Sequence, residues 1–394
     1  MKLLHVCLFA LLVLPSAHAD GDTEFTLRRF EGRIGEDLPV SLFLTRLSGD
    51  SEENEKEYSG YYYYHRRGLP ISLEMGEAKD GGKLVLREPA PDDPGKPDAP
   101  QTYTGIWILD TGEGSSLHGV WKSGDGKRTL PVSLKEAYPD GSFRFQLHHL
   151  GRDHHLRVNG NTGGEERSLK FPQIDADTPA ARRINAAIRR AVSEVINGED
   201  EDVNPAPKPP KAPNIEQIRK RFFDQAVGND SLGDDDFPRI YSYHYQWSVV
   251  TNDDGVVSLE FMWDDYTGGA HGNFGFGYFV FDAATGEQVQ LEDIALAGFR
   301  KRWAELGGRA LRKAQGLKAD APLSEAGLFE DTLELNDAWC ALPEGIQFSY
   351  DPYEIGPYAL GQIAFTLPWK DILPDLKPGT SIHAFAKKRA ALAP

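Results

Sequence analysis

From residue 20 to about residue 160, apolar and polar positions alternate in short runs with turn residues between them. Tyr61 to Tyr64 follow Gly60. Ile71, Leu73 and Met75 alternate. Leu84 to Leu86 follow Gly81-Gly82, and Ile106 to Ile108 follow Gly105. Val120-Trp121 follow Gly119, Val132 and Leu134 follow Pro131, and Phe143, Phe145 and Leu147 follow Asp140-Gly141. A period of two in segments this short and evenly spaced predicts an antiparallel meander or small barrel. The glycine before an aromatic pair at Gly60, Gly105 and Gly119 reads as a loose hairpin repeat, each glycine marking a bulge or a close backbone approach.

From about residue 165 the period changes. Thr178-Pro179 caps a helix whose Ile184, Ile188, Val192 and Val195 share one face and which stops near Asn197-Gly198. An acidic and then proline-rich insertion, 199–213, reads as extended and solvated. Asn214 with Gln217 resembles a capping box, opening a helix through Ile215, Ile218, Phe222 and Ala226. Strands return at 241–250 and 256–263, joined by Asp254-Gly255, a hairpin signal. A strand at 275–281 follows, then a helix through Phe299, Trp303, Leu306 and Leu311 that Gly307-Gly308 weakens. The strand pair 345–350 and 361–367 closes the pattern. Strands and helices in separate blocks indicate an α+β chain.

The first nineteen residues add an address. Met1-Lys2, an apolar run from Leu3 to Leu14, and Ala17-His18-Ala19 form the three parts of a secretory signal peptide. The expected location is the periplasm or the medium. The rest of the 394-residue chain has length for roughly two or three domains. The full chain's formal charge of −17 argues against nucleic acid and anionic membrane surfaces and favours cationic partners. No stretch reads as a membrane span. After the leader only Cys340 remains, beside Trp339, and it reads as a buried apolar residue.

Two blocks carry a resemblance. One is Tyr266-Thr267-Gly268-Gly269-Ala270-His271-Gly272, followed by Phe281-Asp282, Thr285-Gly286 and Leu291-Glu292-Asp293. The other is Gly345-Ile346-Gln347-Phe348, then Pro352-Tyr353-Glu354-Ile355-Gly356-Pro357-Tyr358-Ala359 and Gly361. Together they resemble the extracytoplasmic domain shared by the anti-sigma factor RsiV and the non-catalytic N-terminal region of PdaC-type peptidoglycan deacetylases. The resemblance spans about 165–376. It implies an α+β module outside the membrane and, in its RsiV form, recognition of lysozyme. The sequence departs from those contexts: it shows neither a transmembrane helix with a sigma-binding segment nor a deacetylase catalytic domain.

The expected organisation is therefore a signal peptide at 1–19, a β-rich domain at 20–160, and a PdaC-like α+β subdomain at 165–262. An RsiV-like subdomain at 263–376 and a tail at 377–394 complete it. Candidate ligand-binding residues are Tyr266, Gly268, Gly269, His271, Tyr353 and Tyr358, through exposed amides, an imidazole and amphipathic rings. A tight turn and aromatic packing are the structural alternatives. His148, His149, His154 and His155 would face in pairs across a hairpin turned at Gly151-Arg152-Asp153. Two histidines per face fall short of a zinc set, so no metal is assigned. Asp264-Asp265 lack a histidine pair at ligand spacing. No nucleophile elbow or phosphate loop occurs, and no cofactor is assigned. The leading reading is a cell-envelope binding protein for a cationic protein such as lysozyme, or for peptidoglycan fragments. The alternatives are an envelope glycan hydrolase using His271 and nearby acids, a deacetylase-associated protein, and a structural envelope factor.

Overall fold

The computed structural model describes residues 21–47, 57–75, 83–90, 101–110, 114–158, 161–197, 212–225 and 240–392. The expected leader and most of the proline-rich insertion lie outside them. Eight strands form the first unit: β1 (Gly21–Ile34), β2 (Leu38–Leu47), β3 (Glu57–Tyr64), β4 (Ile71–Met75), β5 (Lys83–Pro89), β6 (Tyr103–Asp110), β7 (Ser116–Ser123) and β8 (Thr129–Glu136). Each pairs with the next, and β8 returns to β1 through Phe30 to Ile34, so the meander closes into a barrel. Its interior is filled by Phe30, Leu42, Tyr62, Leu86, Trp107, Trp121 and their neighbours.

Among them sits one carboxylate. Glu88 is buried and accepts hydrogen bonds from Tyr62 Oη (2.7 Å), Trp107 Nε1 (2.9 Å), Trp121 Nε1 (2.6 Å) and Thr104 Oγ1 (3.2 Å). A methyl group at Gly105 would lie 2.3 Å from that carboxylate. At Gly60 and Gly119 it would strike the neighbouring strand's carbonyl oxygen at 2.1 Å. The repeated glycines thus mark close approaches, as the pattern implied.

β1 is longer than the barrel needs. Its first half, Gly21 to Leu27, leaves β8 and pairs with β9 (Phe145–Val158), and the sheet continues through β10 (Asn161–Ile174), β11 (Ile240–Asp253), β12 (Val256–Tyr266) and β13 (Asn273–Asp282). β9 runs straight through Gly151-Arg152-Asp153, so the expected hairpin there does not form. Arg152 instead donates to the carbonyls of Gln225 (2.6 Å) and Phe223 (3.3 Å). The β10–β11 pair is parallel, bridged by α1 (Pro179–Asn197) and α2 (Ile215–Asp224).

α1 starts where Thr178 Oγ1 accepts from Ala181 N, and α2 carries the capping box of Asn214 and Gln217. Ile184, Ile188, Val192 and Ile196 of α1 pack on Leu169, Phe171 and Phe281; Val195 is only partly buried. The β11–β12 turn has Asp254 (φ 49°) and Gly255 (φ 85°), the two left-handed residues of a type I′ hairpin.

The opposite face of this sheet receives the C-terminal layer. That layer comprises α3 (Leu291–Ile294), α4 (Phe299–Gln315), the sheet β14 (Trp339–Ala341), β15 (Gly345–Tyr350) and β16 (Ile363–Pro368), then α5 (Trp369–Ile372) and α6 (Ser381–Leu392). Thr251 Oγ1 and Ser258 Oγ both donate to Ala341 O, fixing β14 on β11 and β12. α4 is continuous through Gly307, where a Cβ would strike Phe365 at 2.5 Å. Glycine there permits close helix–sheet packing. Cys340 is buried, and burial followed by Glu260 pushes its thiol well up.

The stretch after residue 376 folds as α6, because Ile382, Phe385 and Ala386 share a buried face. That helix also delivers Arg389 to Asp253. The Asp253 carboxylate touches Arg29 Nη2 (3.0 Å), Arg389 Nη2 and Tyr63 Oη (2.6 Å). Burial opposes its ionisation, but Arg389, Arg29 and the tyrosine outweigh burial and hold its acidity constant below the usual range. Removing one member of such a cluster leaves the others charged and buried. Asp253→Ala is therefore expected to cost about 3–5 kcal/mol in urea unfolding at neutral pH. The exposed Asp140→Ala should cost about 0.5 kcal/mol or less.

Candidate functional site

The two loops singled out in the sequence meet at one edge of the large sheet. The first connects β12 to β13. Gly268 (φ 91°) and Gly269 (φ 102°) take conformations that side chains rarely adopt, and Tyr266 Oη donates to Gly269 O at 3.1 Å. His271 Nδ1 lies 2.8 Å from Gly272 O, which assigns the proton to Nδ1 in the neutral ring. The second loop follows β15. Asp351 and Glu354 cap it reciprocally, Glu354 N to Asp351 O (3.1 Å) and Asp351 N to Glu354 Oε2 (3.0 Å). Tyr353 (φ 72°) is the tip, 60 % exposed.

One hydroxyl joins the loops: Tyr358 Oη donates to Gly272 O at 2.7 Å. The Tyr358 ring then lies flat on His271, centroids 4.1 Å apart and planes 23° apart. Phe274 meets it edge-on at 5.8 Å, and Tyr353 lies 5.7 Å away. The structure thus brings Tyr266, Gly268, Gly269, His271, Tyr353 and Tyr358 into one ledge of aromatic rings and exposed backbone. Both alternatives from the sequence are also realised in part. The loop is a tight turn with His271 on its own backbone, and Tyr358 is packed, whereas Tyr353 and Tyr266 (39 % exposed) present their rings to solvent.

Acids rim the ledge. Asp351 Oδ1 accepts from Phe276 N (3.0 Å), and burial pushes this carboxyl up to about 6. Asp265 Oδ1 accepts from Asn273 Nδ2 (3.2 Å). Asp264 pairs with His244 Nδ1 at 2.8 Å, both half-exposed. Sequence reasoning missed His244 and Asp351, which lie on neither motif's glycine or tyrosine pattern. The expected pairs His149–His154 and His148–His155 do not face each other, because β9 continues through them as one strand, and His148 is a buried ring stacked on Phe171 (5.0 Å). Among the described residues, no three His, Cys, Asp or Glu side chains gather as a metal set.

Beneath the ledge, the buried Glu260 of β12 sits opposite the partly buried Tyr278 of β13 in one seam. Gln362 Nε2 donates to Tyr278 Oη (3.1 Å) and to Ser349 Oγ (2.6 Å), closing the seam against β15. Among the described residues, no cation pairs with Glu260. Burial pushes its carboxyl up to about 7, with the Tyr278 hydrogen bond opposing.

Comparison with known proteins places these elements. Residues 165–274 match the family model described as "Deacetylase PdaC", and residues 291–370 that described as "Protein of unknown function (DUF3298)". The chain is thus similar to the PdaC model over the first stretch and to the DUF3298 model over the second. No curated protein matches the chain. Among solved structures, a DUF3298 family member from Bacteroides fragilis is similar at 16% identity, covering 62% of this chain and 98% of that one, with a TM-score of 0.49. A DUF3298 family protein from Pseudomonas aeruginosa PAO1 is similar at 19% identity, covering 60% and 95%, with a TM-score of 0.43.

The seam predicts a pH dependence. A carboxyl raised in the folded state contributes stability that is present below its ordinary value of 4.5 and lost as pH rises through about 7. His149, pushed down to about 4, acts in the opposite sense, but only below its ordinary 6.5. Lys170, pushed down to about 8, acts above that pH. Between pH 6.5 and 8, urea midpoints of the wild type should therefore fall, and Glu260→Gln should flatten that slope. An unchanged slope in the variant would show that the seam is not the titrating element.

Proposed function

We propose that this chain, PdaC-like over 165–274 and of the DUF3298 type over 291–370, is an exported binding protein of the cell envelope. Its ligand docks on the ledge formed by the loops 266–272 and 351–361. The observation that carries the reading is the joining of the two loops by Tyr358, which holds rings and free backbone groups at a sheet edge with carboxylates around them. Rigid aromatic rings in an acidic rim suit a cationic protein surface: the rings supply contact area at low entropic cost, and the charge steers encounter. The net charge of −17 and the resemblance to the lysozyme-recognising RsiV domain point the same way.

A peptidoglycan fragment is the second reading. Sugar rings stack on exposed tyrosine faces such as that of Tyr353, and Glu354 beside it can accept from hydroxyls. The export address supports an envelope ligand in either case. No helix among the described residues is long and apolar enough to cross a membrane.

Calorimetry with a lysozyme at low and at physiological salt tests the proposal. Saturable binding near one to one is expected, weakened by salt and weakened about tenfold or more by Tyr353→Ala, a loss typical of a central aromatic anchor. Tyr353 is exposed, so its removal should leave the melting temperature within a degree or two of wild type. Heat only with peptidoglycan fragments, lost in the same variant, would select the second reading. No heat with either ligand would sink both.

A further inference from the structure

In a chain this acidic, α1 is a local exception. Arg182, Arg183 and Arg190 are exposed on it, and the partly buried Ala186 and Ala187 lie between them. Residues four apart on a helix are neighbours. Arg182, Ala186 and Arg190 therefore form one row, with Arg183 and Ala187 in a second row beside it. Across from these rows stands the turn that follows β13. Gly286 (φ 76°) seats this turn on the start of the helix, where a Cβ would lie 2.4 Å from Ala180 O. Helix and turn enclose a cavity of about 600 Å³, lined by the three arginines, the two alanines and Gln288, with Glu287 at the turn.

The arginines differ in how they are answered. Arg182 Nη1 donates to Asp177 Oδ1 (2.6 Å). Arg183 reaches across to the turn, donating to Glu287 Oε1 (2.8 Å) and Thr285 O (3.0 Å). Arg190 pairs with no carboxylate among the described residues. Its charge is felt by its neighbour: burial and then Arg190 push the Arg189 guanidinium down from its ordinary value. Asp177 and Glu287 thus answer two of the three guanidiniums, and one positive charge is left in the cavity.

We propose that this groove is a binding site for a small hydroxyl-rich organic anion whose acid group, a carboxylate or a phosphate, is taken by Arg190 and Arg183. The guanidinium fork matches either oxyanion bidentately. The volume lies in the range of small-molecule sites and well above the needs of a bare oxyanion, so the acid group carries a body. That body is polar. The cavity offers it two alanine methyls and the edge of the buried Phe281 for contact, but guanidinium, amide and carboxylate groups for hydrogen bonds. Gln288 can both donate and accept, and Glu287 can accept from hydroxyls. The Arg183–Glu287 pair is exposed on both sides and worth little by itself, so turning Arg183 toward a ligand costs little. No residue of the ledge takes part, so the groove stands or falls apart from what docks there.

The test is a titration of the full chain, carrying nitrogen-labelled arginine, with sodium gluconate and with sodium glycerophosphate at constant ionic strength. It is followed by nuclear magnetic resonance. Sorbitol lacks the acid group, sodium phosphate the body and sodium hexanoate the hydroxyls, so these three are the comparisons. The Nε–H signals of Arg183 and Arg190 should move together with one saturating dissociation constant, while that of Arg33 on the barrel stays still. Saturation by gluconate alone would make the acid group a carboxylate, and by glycerophosphate alone a phosphate. Arg190→Gln should weaken binding about tenfold or more, the loss of a charge-assisted hydrogen bond, and leave the melting temperature unchanged. Glu287→Gln should strengthen binding about two- to fivefold by releasing Arg183. The proposal is overturned if neither hydroxylated anion saturates, or if either variant fails to shift the affinity in the stated direction. It is equally overturned if phosphate or hexanoate binds as tightly, which would mean an adventitious ion only.

Discussion

The rest of the molecule depends on one buried carboxylate, Asp253. It stands at the end of β11, yet its partners come from the barrel (Arg29 and Tyr63) and from the last helix (Arg389). No one of these groups could be buried alone. The arginines need an anion, and Asp253 needs cations strong enough to offset the loss of water. Arg389 also reaches Asp254 (3.0 Å), and Gly255 N donates to Gly141 O (3.2 Å), so the whole β11–β12 turn is held against the barrel's exit. A hydrophobic contact could have joined the same elements with less directional demand. The ion cluster fixes their angle as well, since each hydrogen bond has its own geometry.

That fixed angle decides what is left open. With the barrel tied at one corner and β14 to β16 seated on the rungs from Val256 to Glu260, a strip of the sheet face lies between two walls. The strip ends at Phe274 and Tyr358, where the loops meet.

Much of this architecture was legible in the sequence, and what was hidden has particular causes. Period-two alternation and glycines at close approaches revealed the barrel strands, but closure was not visible, because β1 splits its length between β8 and β9. Gly151-Arg152-Asp153 has the composition of a turn, yet the partners of Arg152 lie more than seventy residues away in α2. The His244–Asp264 pair was hidden by one residue. Counting back from the Asp254-Gly255 turn sets Tyr245 opposite Asp264, and a bulge between Val249 and Thr251 moves the partner to His244. The two loops stood out separately as candidates. Their union rests on the bond from Tyr358 to Gly272, a contact that neither motif contains. α6 was read as a tail because its buried face is short and set among lysines, and its decisive contact, Arg389 with Asp253, spans 136 positions.

Three of the buried carboxylates, Glu88, Asp253 and Glu260, are held in three different ways. Glu88 in the barrel is wrapped by four neutral donors, two of them indoles that cannot titrate. Asp253 is held by arginines, which stay charged at any pH the fold survives. The Asp253 cluster therefore keeps its charges near neutrality. Glu260 has a tyrosine, an amide network and, among the described residues, no paired cation, so it is poised to take up a proton there. It lies in the seam that seats β15 and β16, and the loop bearing Tyr353 and Tyr358 springs from that same pair of strands. The proton that Glu260 takes up therefore enters the layer that carries the ledge.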